Sequence, residues 1–263
     1  MRSSPATLSR PASRSFLAQT VRVKGRTRAI DRIASELMMT VFLDESGTHT
    51  GSAGVLAGAV VTPDAPMLER QIVSAHADVL ADNIYWDDPE KRNSFAERGF
   101  HHTDDNDTVR GEFVRVFRSM DFRAHVAFSR RSSGIGDQDL LLNMFYTLTR
   151  NIVLRYRTEE ILFVFETESS MDRLVAKVVT TVRADLTAIA GTALNVRTQI
   201  GTKAAPALAL ADYVLALAAM ALFEAPAPFQ ANRINSGLDA HLAHLIDFDR
   251  GVHQSSRKGI ELL

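Results

Sequence analysis

The chain has 263 residues, 46% hydrophobic and 23% charged, with a net charge of −1. That is globular composition, long enough to bury a large core without disulfides or a structural metal. It contains no cysteine, which excludes disulfide staples, thiolate zinc sites, iron–sulfur clusters and cysteine nucleophiles, and the near-zero charge argues against a general polyanion binder.

The charge is uneven. Residues 1–38 carry eight Lys or Arg against Asp31 and Glu36, a balance of +6, so the rest of the chain stands at −7. Residues 1–20 are rich in Ser and Arg and poor in bulky apolar side chains. Such a segment buries too little surface to offset chain entropy, so 1–38 is expected to be a basic, disordered N-terminal arm. A transit peptide and a nucleic-acid-binding arm are the functional alternatives to a plain tail. The folded domain is expected over 39–263. No secretory signal is read, and a cytoplasmic setting is expected.

Residues 40–44 (TVFLD) are β-branched and aromatic and predict a buried strand; 54–62 (GVLAGAVVT) predict its hairpin partner, closed off by Pro63 and Pro66. A helix is predicted over 67–81. A polar stretch over 82–107 contains Phe100-His101-His102-Thr103-Asp104-Asp105, and 108–120 shows helical spacing. Alternation over 122–130 predicts a third strand. Then come a long helix over 139–157, a wholly apolar strand over 161–165 (ILFVF), a helix over 171–190 and a strand over 194–200. An Ala- and Leu-rich helix follows over 206–223, and a weak helix over 239–248 is expected to carry His241 and His244 on its surface. Strands alternating with helices predict a mixed sheet covered on both faces, with a helical insertion between the second and third strands. The 206–223 helix is nearly long enough to span a membrane, but Asp212 lies inside it and a charge there is expensive in lipid, so no membrane association is expected.

Three carboxylates stand where acids are unwelcome. Asp44 ends a buried strand with Glu45 beside it, Glu166 follows ILFVF, and Asp212 sits in a helix that is apolar almost all round. A buried carboxylate needs a partner, a hydrogen-bond donor or a metal. If the first strand and the 161–165 strand lie side by side and parallel, Asp44 and Glu166 face one crevice at the carboxyl ends of the strands, where open α/β sheets place ligands. Converging carboxylates repel, and hard divalent ions with oxygen ligands, Mg²⁺ or Mn²⁺, relieve that. Two such ions serve in-line phosphodiester hydrolysis. Other readings stay open: Asp44 as a cap on the Ser46-Gly47 turn, Glu45 as a solvent-facing residue, Glu166 as the start of the next helix with Glu168 competing for its role. His101 or His102 is placed to protonate a leaving group or position a water. Lys203, Arg130 and Arg131 are weak candidates for phosphate contacts.

The run Val41-Phe42-Leu43-Asp44-Glu45-Ser46-Gly47 resembles the opening of a bacterial and phage family known as domain of unknown function 3800. Ala207-Leu208-Ala209-Leu210-Ala211-Asp212 is similar to that family's closing helix, with Ala209 where the family usually has glutamine. Phe163-Val164-Phe165-Glu166 and Phe100-His101-His102 resemble its middle strand and its histidine-bearing segment. The resemblance spans about residues 39–220. It implies a ribonuclease H-like fold, a mixed five-stranded sheet whose first three strands are antiparallel, flanked by helices. It also implies an acidic metal site with Asp44, Glu166 and Asp212 as ligands and Glu45 as a further candidate. The expected function is a metal-dependent nuclease using Mg²⁺ or Mn²⁺ on RNA or DNA, with nucleic acid as its partner. The alternatives are a catalytically degenerate module that binds nucleic acid or protein, and a small-molecule phosphate-ester hydrolase.

Overall fold

A computed structural model describes residues 38–49, 51–131, 134–157, 159–166, 172–191, 193–201, 205–224, 226, 228–250 and 252–254, with backbone alone at 166, 172–173, 228–229 and 252–254. The chain divides into two units, 1–35 and 36–263. The first, and with it nearly all of the expected basic arm, lies outside the described residues.

The second unit opens with a hairpin, β1 (Met38–Ser46) and β2 (Val55–Thr62). The helical insertion follows: α1 (Ala65–Ala81), a 3₁₀ turn (Asn83–Tyr85), α2 (Pro89–Arg98) and α3 (Asp107–Phe117). Then come β3 (Arg123–Ser129), α4 (Asp137–Arg155), β4 (Glu160–Glu166), α5 (Asp172–Ala190), β5 (Val196–Gly201) and α6 (Leu208–Phe223). The last elements are α7 (Pro228–Asp239), β6 (Leu242–Asp247) and β7 (Val252–Gln254). Asp64 caps α1, Asp88 caps α2 and Asn106 caps α3, each accepting from a free first-turn N–H.

The strands form one mixed sheet in the order β5-β4-β1-β2-β3-β6-β7. The first three are antiparallel neighbours, while β4 runs parallel to β1 and β5 parallel to β4. β1 is central and therefore buried on both faces, which is why TVFL reads as a continuous apolar run rather than an alternation. Val41 and Leu43 pack on the face covered by α4 and α5, with Phe145, Leu148, Val179 and Leu186. Phe42 packs on the opposite face with Phe113, Phe117, Tyr213 and Leu215 of α3 and α6.

Two sequence expectations are corrected. The sheet has seven strands rather than five, because β6 pairs parallel with β3 and β7 pairs with β6. Residues 242–247, expected within a helix over 239–248, form β6, and the helix lies upstream as α7. Pairing with β3 overrides the local helical spacing. His241 and His244 are accordingly not on a helix surface. The His241 ring is buried and stacked on Phe122 at 3.8 Å, and His244 Nδ1 lies 2.9 Å from His125 Nδ1. Among the described residues, no helix is long and apolar enough to cross a membrane.

Candidate functional site

The parallel pairing of β1 with β4 sets the site. Their register runs from Met38↔Glu160 to Leu43↔Phe165, so the next residue on each strand, Asp44 and Glu166, ends the same side of the sheet. Asp44 alternates with Phe42 and thus belongs to the face covered by α6. The Glu45 N–H donates to Asp44 Oδ1 at 2.9 Å. The chain then turns at Gly47, whose φ of +82° and whose space both demand glycine: a Cβ there meets Gly54 O at 2.1 Å. The turn is tied from outside. Arg131 donates to Gly47 O and Ser52 O, each at 2.6 Å, and pairs with Asp137 through Nε at 2.8 Å and through its second terminal nitrogen at 2.9 Å.

Asp212 comes from α6, which packs across β1, β2 and β3. The helix is apolar on nearly every side because it is wedged between the sheet and the insertion, with Leu210, Tyr213 and Leu217 all buried. Asp212 is half-buried, and its Oδ2 accepts the His102 N–H at 2.7 Å. Burial raises its pKa above the ordinary carboxylate value; the His102 amide pulls against that, and the neighbouring charges of Asp105 and Asp104 add to it.

The loop between α2 and α3 completes the enclosure. Phe100 anchors it, stacking on Phe113 at 4.0 Å and edge-on to Phe95 at 5.1 Å. Arg110 holds its far end, donating to His102 O at 2.7 Å and Thr103 O at 3.1 Å. The two histidines go opposite ways. The His101 side chain is half exposed, with Nδ1 3.3 Å from Asp104 Oδ2. The His102 ring sits edge-on to Tyr213 at 5.1 Å, and its pKa falls to about 4 because of burial, reinforced by the charges of Arg110 and Arg233.

These elements enclose a cleft of about 550 Å³ whose lining residues include Asp44, Glu45, His101, Asp104 and Asp212. Four of the residues singled out from sequence thus share one cavity. His102 contributes its backbone amide to Asp212 and turns its ring into Tyr213. The side chain of Glu166 lies outside the described residues, as do Lys203 and Glu168. The two arginines offered as phosphate contacts are engaged elsewhere. Arg131 spends its guanidinium on the Gly47 turn and Asp137, which also takes the acid at the start of α4 out of the cleft; Arg130 lies over the rings of Phe128 at 5.1 Å and Phe223 at 5.7 Å.

Two residues that sequence reasoning passed over, His76 and Arg98, and a third that it saw only within a polar cluster, Asp105, also belong here. His76 of α1 and Arg98 of α2 line the cleft, and Asp105 is buried directly behind it at 3% exposure. Asp105 was legible only as one of a polar cluster; nothing in Thr103-Asp104-Asp105 says that the second aspartate turns inward.

The donors fit a hard divalent ion in kind: carboxylates from β1 and α6, one of them already penalised for being charged. Among the described residues, no three of these side chains are gathered closely enough to form a metal-binding group.

No family model matches the chain, and no curated protein matches it. Among solved structures, a chain of the PCNA:RNase HII complex from Archaeoglobus fulgidus is similar over 76% of this chain and 88% of that one, at 13% identity and a TM-score of 0.39.

Proposed function

We propose that the chain is a metal-dependent nuclease with a ribonuclease H-like sheet, acting on a phosphodiester bond of RNA or DNA. One observation carries the reading: Asp44 and Glu45 from the end of β1, Asp212 from the middle of an apolar helix and His101 from the insertion, far apart in sequence, line one cleft. The antiparallel pairing of the first three strands supports it, because the resemblance to domain of unknown function 3800 implies that pairing.

In this reading Asp44, Asp212 and Glu166 hold Mg²⁺ or Mn²⁺, with Glu45 as a further ligand. A divalent ion supplies Lewis-acid charge to a phosphoryl oxygen and lowers the pKa of a water. The chain's own residues do the rest. The His102 amide fixes one oxygen of Asp212. Asp104 beside His101 Nδ1 favours the tautomer protonated there, leaving Nε2 to take or give a proton. His102, with its pKa near 4, is neutral at physiological pH and works through its backbone alone. The cleft volume also lies within the range of small-ligand sites, which favours a phosphate ester of low molecular weight as the second reading.

The test is cleavage of labelled RNA and DNA with Mn²⁺ by the wild type, Asp44→Asn and Asp212→Asn. Turnover by the wild type that disappears in both variants supports the proposal; undiminished cleavage by the variants removes it. A steep loss of binding with salt favours nucleic acid over a small ester.

A further inference from the structure

A phosphate that enters the cleft can be held by a hydrogen-bond donor as well as by a metal. Asp44, Glu45, Glu97, Asp104 and Asp212 line the cleft, and among its described lining residues the one guanidinium is Arg98. Arg98 is thus the described lining residue able to donate to a phosphate through a guanidinium.

Arg98 is fixed with unusual care. It is the last residue of α2, where Gly99 at φ +77° turns the chain away from the helix. One terminal nitrogen donates to Gly99 O at 2.9 Å, and the other pairs with Asp105 Oδ1 at 2.8 Å. The second oxygen of Asp105 takes the Tyr213 hydroxyl at 2.5 Å and the His101 N–H at 3.0 Å. The buried carboxylate is thus divided, one oxygen for the loop and α6, the other for the guanidinium. Arg98 Nε, 3.9 Å from Asp104 Oδ2, is itself buried, so the part of the guanidinium that reaches the cleft is its terminal N–H groups, the side chain keeping 24% of its surface. A planar guanidinium oriented by one hydrogen bond to Gly99 O and by an ion pair to a buried carboxylate, and lining a cleft, is suited to a phosphate.

We propose that Arg98 binds a phosphate of the substrate, and that Asp105 is the positioning residue that holds it in place. The proposal rests on the nuclease reading of the same cleft. It gives Asp105 a function that neutralising Arg98 on the surface would not require: a buried anion is costly, and here it fixes the direction of one cation.

The test is fluorescence anisotropy of short labelled RNA and DNA oligonucleotides, with Ca²⁺ replacing Mg²⁺ to hold back turnover, across a salt series. Arg98→Met is expected to weaken binding about tenfold or more and to reduce the salt slope by about 1. Arg98→Lys recovers part of the loss, since it restores the charge without the fork. Because Arg98→Met strands the buried Asp105, the double variant Arg98→Met/Asp105→Asn is measured beside it; it removes both charges and must show the same loss. In every variant the rise in melting temperature on adding Mn²⁺ is retained. Wild-type binding matched by Arg98→Met and by the double variant overturns the assignment of Arg98 and leaves the nuclease reading standing. A wild type that binds neither oligonucleotide overturns both.

Discussion

Around Gly47, Arg131 and Asp137 pair through two hydrogen bonds, and the remaining guanidinium donors close on Gly47 O, Ser52 O and the Ser52 hydroxyl. Three residues earlier, Asp44 opens on a cleft where several carboxylates face one guanidinium that is itself held by a buried aspartate. Both clusters touch the same short segment at the end of β1. The first balances its charge internally and is explained as scaffolding. In the second, acidic residues outnumber basic ones among the described lining residues, and one of them, Asp212, has its charged form penalised by burial. Proximity of charges to a strand end therefore does not by itself mark a site: the same segment serves a closed ion pair on one side and borders an open cleft on the other.

That contrast makes predictions of decreasing size. Asp44→Asn should reduce Mn²⁺-dependent cleavage by roughly 10³-fold or more while leaving the melting temperature within a few degrees of wild type. His101→Ala should reduce kcat by roughly 10²-fold, whereas His102→Ala should leave the shape of the pH–rate profile above pH 5 unchanged, since its imidazole is already neutral there.

On the scaffolding side, Gly47→Ala should cost about 2–3 kcal/mol in urea unfolding, because the turn needs both the left-handed backbone and the space against Gly54 O. Arg131→Met should cost about 1–2 kcal/mol, a figure already reduced because the pair is partly exposed. The Asp137 pKa is depressed by its hydrogen bond from Arg131. Its contribution is therefore present above the unfolded-state value and lost as pH falls through the folded one, so the difference between wild type and Arg131→Met should close in acid.

Asp212 has the opposite sign. Its pKa is raised, so its contribution to stability is fully present below the unfolded-state value and lost as pH rises through the folded one. Without divalent ions, Asp212→Asn should melt above wild type at about pH 8 and level with it near pH 3. A melting temperature at pH 8 that falls on substitution would place Asp212 with the balanced cluster instead.

The centre of the fold was legible because it is encoded by long apolar runs. TVFL and ILFVF leave no polar face and belong inside a covered sheet, and the helices between β3 and β5 repeat their apolar residues at helical spacing. The register that brings Asp44 and Glu166 level follows from those two strands being parallel neighbours. The edge was not legible. β6 shows no clean alternation, with His244 directed at His125, and α7 is a polar sequence whose Gly237 is needed for close packing on Leu217 and Val114. Within the site, Asp44 and Asp212 stood out because an acid in an apolar setting is conspicuous. Arg98 and Asp105 did not, because each lies among other charges, and only the turn after α2 determines which of them points inward. The pairing of Arg131 with Asp137, six residues on, was not legible either, since no spacing rule links them outside a helix.

The account stands on the claim that the carboxylates of the cleft are there to be neutralised by a divalent ion. Isothermal titration of Mn²⁺ into the wild type and into Asp44→Asn tests it most directly. Saturable binding by the wild type that is abolished in the folded variant is the predicted result; no binding by the wild type, or equal binding by both, would contradict it.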